Sequence, residues 1–251
     1  MKTAQKLVIL ILVVIVLVVI AGLVRAPKVV VPQPEPVVTT PVTAPITTTV
    51  QSQDICFYSE KRTDATHADI AWLKATVTGG MIKGELRNLP AEKDSKIGLF
   101  EGTISATDTI GVQKVDAIWQ TRAEGMETPE QLIVKISSDK AEVGFGEMVD
   151  SGDGVYVYKT PDAIPYFSSI PSMPCSELNE YITVEKYIRD NIGSLTSAKA
   201  KLGGKWYVTT LLIDQGKKSG SVSYEDGHIQ KTSAFTYSVD STNKITITGI
   251  K

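Results

Sequence analysis

The chain has 251 residues, of which 42% are apolar and 22% charged, enough to fold into one or two domains. A formal net charge of -2, with no cluster of Lys and Arg, argues against a nucleic-acid partner, because a phosphate-binding surface needs concentrated positive charge.

In chain order the first feature is apolar. Leu7 to Val24 is a run of 18 residues without a charge. At 1.5 Å rise per residue it spans about 27 Å, close to the thickness of a bilayer core. Backbone amides in lipid must bond within their own segment, so residues 7–24 are expected to be a transmembrane helix, with residues 1–6 in the cytoplasm. A removed signal peptide is the competing reading. The run is long for a signal peptide, Pro27 follows the best cleavage candidate Val24-Arg25-Ala26, and no lipid-accepting cysteine follows, which favours a retained signal anchor. Lys2 and Lys6 before the helix and Arg25 and Lys28 after it leave the positive-inside comparison almost tied.

Residues 25–53 read as a stalk. Prolines 27, 32, 34, 36, 41 and 45 alternate with Val and Thr, a composition that extends instead of packing. Its proline-rich part, residues 27–53, reaches at most about 3.1 Å per residue, roughly 80 Å in all. It resembles a cell-surface stalk able to carry O-linked sugar, or else a bare linker. The stalk and the two cysteines place the soluble part outside the cytoplasm, in a periplasm or at a cell surface.

Residues 54–176 read as a β-rich domain. Candidate strands are Ile70 to Val77, Met81 to Asn88, Lys96 to Ser105, Val115 to Thr121, Gln131 to Ser137, Lys140 to Met148 and Val155 to Lys159, with Gly79-Gly80 joining the first two as a hairpin. Many short strands without a long helix point to an antiparallel β-barrel or sandwich. Cys56 and Cys175 bracket the region, and a disulfide between them suits an oxidising compartment. Two free thiols are the alternative.

Residues 177–251 read as a small α+β domain, one helix followed by a four-stranded antiparallel meander. Thr183 is the expected N-cap, Val184, Tyr187, Ile188 and Ile192 follow helical spacing, and Gly193 is the expected stop. Strands are expected over Trp206 to Ile213, Gly220 to Glu225, His228 to Val239 and Lys244 to Ile250, with Asp226-Gly227 as a hairpin turn. The fold class is thus mainly β, behind a membrane helix.

Chemistry is sparse. His67 and His228 lie in different proposed domains, too few for a histidine metal site, and no cofactor or metal is expected. Ser137 to Lys140 matches S-x-x-K, Lys218-Ser219-Gly220 approximates K-T-G, and Ser241 to Asn243 gives S-x-N. The order and turn context differ from those of penicillin-binding acyl-transferases, so no catalytic residue is assigned. Glu124 with Glu127, and Glu142 with Glu147, read as solvated acids; five positions apart on one strand, the latter two would face opposite ways. Asp150-Ser151-Gly152-Asp153-Gly154 reads as a tight turn, lacking the further ligands of a calcium loop. Trp72, Trp119, Tyr156 and Tyr158 are the possible ligand-lining residues, the two tyrosines sharing a strand face.

Several runs together, Cys56-Phe57-Tyr58, Leu89 to Asp94, Val143 to Met148, Gly154 to Tyr158 and Met173-Pro174-Cys175, resemble uncharacterised bacterial membrane-anchored envelope proteins of lipoprotein-like type. The tail from Gly203 to Tyr207, with Tyr224 to His228, is similar to a small module found beside them. The resemblance implies an envelope location and no activity. The expected function is therefore a membrane-tethered, non-catalytic binding or interaction protein with a protein partner. The alternatives are a lipocalin-like barrel holding a small apolar ligand and an envelope hydrolase.

Overall fold

The computed structural model describes residues 51–251, except 65, 66, 92, 93, 124 and 202 and the side chain of Phe167. The expected membrane helix, the N-terminus before it and nearly all of the stalk lie outside the described residues. Among the described residues no helix is long and apolar enough to cross a membrane.

The described residues from 51 on belong to one compact unit, mainly β. A large sheet runs β1 (Ser52–Arg62), β2 (Ala68–Thr78), β3 (Met81–Leu89), β4 (Lys96–Ile104), β5 (Gln113–Ala123), β6 (Met126–Ile136), β7 (Lys140–Gly144) and then β10 (Tyr166–Pro171), each antiparallel to its neighbour. Short strands β8 (Met148–Asp150) and β9 (Tyr156–Tyr158) attach to it, and β9 meets β6 in parallel. The two ends of this path touch. Phe57 of β1 bridges Ser172 just after β10, and the Met173 amide donates to the Cys56 carbonyl at 2.9 Å.

Strand alternation sends Leu73, Ile82, Leu86, Phe100, Leu132 and Val134 into one buried core. Glycines stand where neighbouring strands of this sheet approach most closely. A Cβ on Gly98 would stand 1.8 Å from the Gln120 carbonyl oxygen, and one on Gly102 would stand 2.2 Å from that of Asp116. The expected Gly79-Gly80 turn is present, with both residues at positive φ (58° and 82°), as a two-residue hairpin requires.

The strand expected over Lys140 to Met148 is instead two. Gly144 lies against Ile164, the Phe145 amide turns away to bond the Pro165 carbonyl, and the chain leaves the sheet before β8.

After β10 comes the helix α1 (Cys175–Leu195), eight residues earlier than the expected cap at Thr183. Pro174 occupies the N-cap position at φ -54°. Thr183 lies mid-helix, where its hydroxyl donates back to the Asn179 carbonyl at 2.6 Å. Gly193 lies within the last turn, and Thr196 ends the helix by turning to extended backbone.

A second antiparallel sheet follows in the expected meander order: β11 (Tyr207–Asp214), β12 (Ser219–Glu225), β13 (Gln230–Val239), β14 (Ile245–Thr248). Leu178, Tyr181, Val184, Ile188 and Ile192 of α1 share one apolar cluster with this sheet and with Ile70 and Trp72 of β2. The Cys56–Cys175 disulfide, Cα–Cα 5.2 Å, fastens the start of α1 to β1.

Asp226 organises the β12–β13 turn. Its carboxylate accepts from the amides of His228 and Ile229, each at 2.9 Å, and from that of Lys201. Backbone donation from Ile229, then Lys201, holds its pKa down at about 2.

Two expectations follow. Replacing Cys56 and Cys175 by Ser should cost about 4–5 kcal/mol in a denaturant titration, the chain-entropy value for a loop this long; an unchanged midpoint would contradict it. Asp226→Asn should lower stability at neutral pH. Because the folded pKa lies below the ordinary 3.8, the stabilisation is present above pH 4 and lost as pH falls toward about 2, so mutant and parent should converge there.

Candidate functional site

Of the four aromatics expected to line a ligand site, the fold brings two together. Trp119 of β5 is buried and donates Nε1–H to the Gly98 carbonyl at 3.1 Å. Tyr158 of β9 is buried and donates to the Gly144 carbonyl at 2.6 Å. Burial, then the negative charge of Glu130, pushes the Tyr158 phenol up to about 12, so it remains a neutral donor. Both line a cavity of about 380 Å³ with Leu132, Val143, Phe145 and Met148. Lys96 and Glu130 line it too, the ammonium 2.7 Å from both carboxylate oxygens.

The other two lie elsewhere. Trp72 points to the opposite face of its strand from Leu73 and is wholly buried in the α1 cluster, away from the Trp119 cavity. Tyr156 shares β9 with Tyr158 but is 42% exposed and does not line the cavity.

The serine and lysine motifs do not converge. The Ser137 hydroxyl donates to Asp139 at 2.6 Å inside its own hairpin, while Lys140 bonds Glu142 at 2.9 Å. Lys218, in the small sheet's first turn, holds Glu180 of α1. Ser241, Thr242 and Asn243 form the β13–β14 turn, where Asp240 accepts from the Thr242 and Lys244 amides. Glu142 lies on β7 and Glu147 in the connection after it, where it pairs with Lys159 at 3.0 Å. Glu127 pairs with Arg122, while Glu124 lies outside the described residues. Asp150, Ser151 and Asp153 spend their oxygens on their own turn, Asp150 accepting from the Gly152 amide at 2.8 Å. The His67 ring bonds Asp64 at 2.9 Å, and His228 donates its amide to Asp226. Among the described residues no group of three His, Cys, Asp or Glu side chains is placed to hold a metal ion.

A second cavity combines residues that no local motif links. A groove of about 530 Å³ lies where β2, β3 and the β5–β6 turn face α1 and β11, and its lining includes His67, Arg87, Arg122, Tyr181, Glu185 and Arg189. Glu185 is its key residue, a carboxylate whose side chain is only 4% exposed. Arg189, one turn along α1, donates Nε–H to it at 2.9 Å, and Arg87 Nη1 approaches its other oxygen at 3.6 Å. Arg87 also donates to Glu85 at 2.8 Å, and its guanidinium lies over the Trp72 ring, 4.9 Å from the centroid. The readable signal for this site was a glutamate on the apolar stripe of α1, beside Tyr181 and Ile188.

No family model matches the chain, and no curated protein and no solved structure matches it either.

Glu185→Ala should destabilise the protein by about 1.5–3 kcal/mol, the value of a hydrogen bond to a charged group, because it removes the 4%-exposed carboxylate that accepts from Arg189. Lys186→Ala, which breaks an exposed pair with Asp190 on the same helix, should cost under about 1 kcal/mol. Equal unfolding midpoints for the two variants would contradict the assignment.

Proposed function

We propose that the chain is a membrane-tethered, extracytoplasmic binding protein of the cell envelope, anchored by residues 7–24 and carried on the 25–53 stalk. The resemblance to envelope proteins, the uninterrupted apolar run and the Cys56–Cys175 bridge support that location, since such bridges persist in oxidising compartments. In this reading the large sheet works as a closed antiparallel barrel, its ends joined through Phe57 and Ser172.

The observation that carries a binding role is the arginine groove, a concave surface in which one buried glutamate, Glu185, faces both Arg87 and Arg189. The dispersed Ser, Lys and Glu side chains weigh against a hydrolase.

Protease treatment of intact spheroplasts tests the location. The full chain should sediment with membranes and resist alkaline extraction, and external protease should cut within the stalk to release a head still bridged at Cys56 and Cys175. A chain protected until the membrane is lysed would overturn the reading.

A further inference from the structure

We propose that the groove between the large sheet and α1 binds the oxyanion of a small ligand, a carboxylate or phosphate, through Arg87, Arg122 and Arg189. The inference rests on the binding role above and names its ligand chemistry.

Three guanidinium groups reach one cavity from three elements, β3, β5 and α1. Glu185 is the one carboxylate among the described lining residues, against three arginines. Glu85 and Glu127 pair with Arg87 and Arg122 without lining the groove.

The arginines are also oriented before any ligand arrives. Glu85 takes Nε–H of Arg87, Glu185 lies near its Nη1, and Trp72 supports the guanidinium plane. In Arg189, Nε–H goes to Glu185 and Nη1 to the Val208 carbonyl at 3.2 Å. Among the described residues no partner bonds Nη2 of either side chain. A guanidinium presents a rigid fork matched to carboxylate and phosphate oxygens, and fixing it in advance removes the ordering cost of binding.

Arg122 completes the set differently. It and Glu127 are 61% and 70% exposed, and so open a pair contributes little, leaving Arg122 able to turn to a ligand. Ser95 and Thr210 also line the groove, which suits a ligand with polar groups beyond its anion.

Calorimetric titration of the full chain in detergent micelles at low salt, with inorganic phosphate and with succinate, tests this directly. At least one probe should bind, more weakly as salt rises. Arg122→Gln should weaken it about tenfold, and Arg87→Lys, which keeps the charge but loses the fork, by a similar factor. Lys217→Gln, in a turn paired with Asp214, should leave it unchanged. Binding of phosphate alone assigns a phosphorylated ligand, binding of succinate alone a carboxylate, and both support the shared chemistry. Neither probe binding, or binding indifferent to Arg122→Gln and Arg87→Lys, overturns the proposal. The spheroplast experiment tests location and not ligand, so the two can fail separately.

Discussion

The architecture depends on β2 being buried on both faces. Leu73 packs into the large-sheet core, while Ile70 and Trp72, on the other face, enter the cluster shared with α1 and the second sheet. A strand with one wet face would show strict alternation, but the centre of β2, Ile70 to Leu73, is an unbroken buried run. Each core alone would leave an apolar surface in water. Together they bury it, so the large sheet, the helix and the meander form one packed body.

Placement of polar groups follows from that packing. Trp72 needs a neighbour over its ring, and Arg87, its register partner on β3, supplies a cation there. That cation in turn faces an anion, Glu185, from the helix that covers the strand, 3.6 Å away. The groove thus forms where two apolar surfaces meet imperfectly and charged groups must satisfy each other. The disulfide lies on the adjoining strand and ties β1 to the first turn of α1, holding the helix in position over β2.

How much of this was legible depended on range. Gly79-Gly80 declares its hairpin because only glycine takes two successive positive φ values cheaply. The meander was readable from short alternating runs. β1 was not, since its second half, Ser59 to Arg62, is polar and becomes strand only by pairing with β2 over eleven register positions. The start of α1 was misread because Thr183 makes a plausible cap locally, whereas the helix begins where Cys175 is fastened to β1. The aromatics were legible as buried residues but not as one site, because Trp72 and Trp119 belong to different cores. The groove was least legible: residues 87, 122 and 189 become neighbours only through the tertiary fold.

The position of the disulfide also has a mechanical meaning. β1 begins at Ser52, and Cys56 stands a few residues further along. A pull transmitted through the proposed stalk would meet a covalent link almost as soon as it entered the folded head, and would pass from there into α1. Phe57 to Arg62 would be spared most of that load, so the strand that closes the large sheet need not also carry the tension of the tether. Reduction would reverse this arrangement, leaving hydrogen bonds between β1 and β2 to bear a force that a single sulfur–sulfur bond otherwise takes.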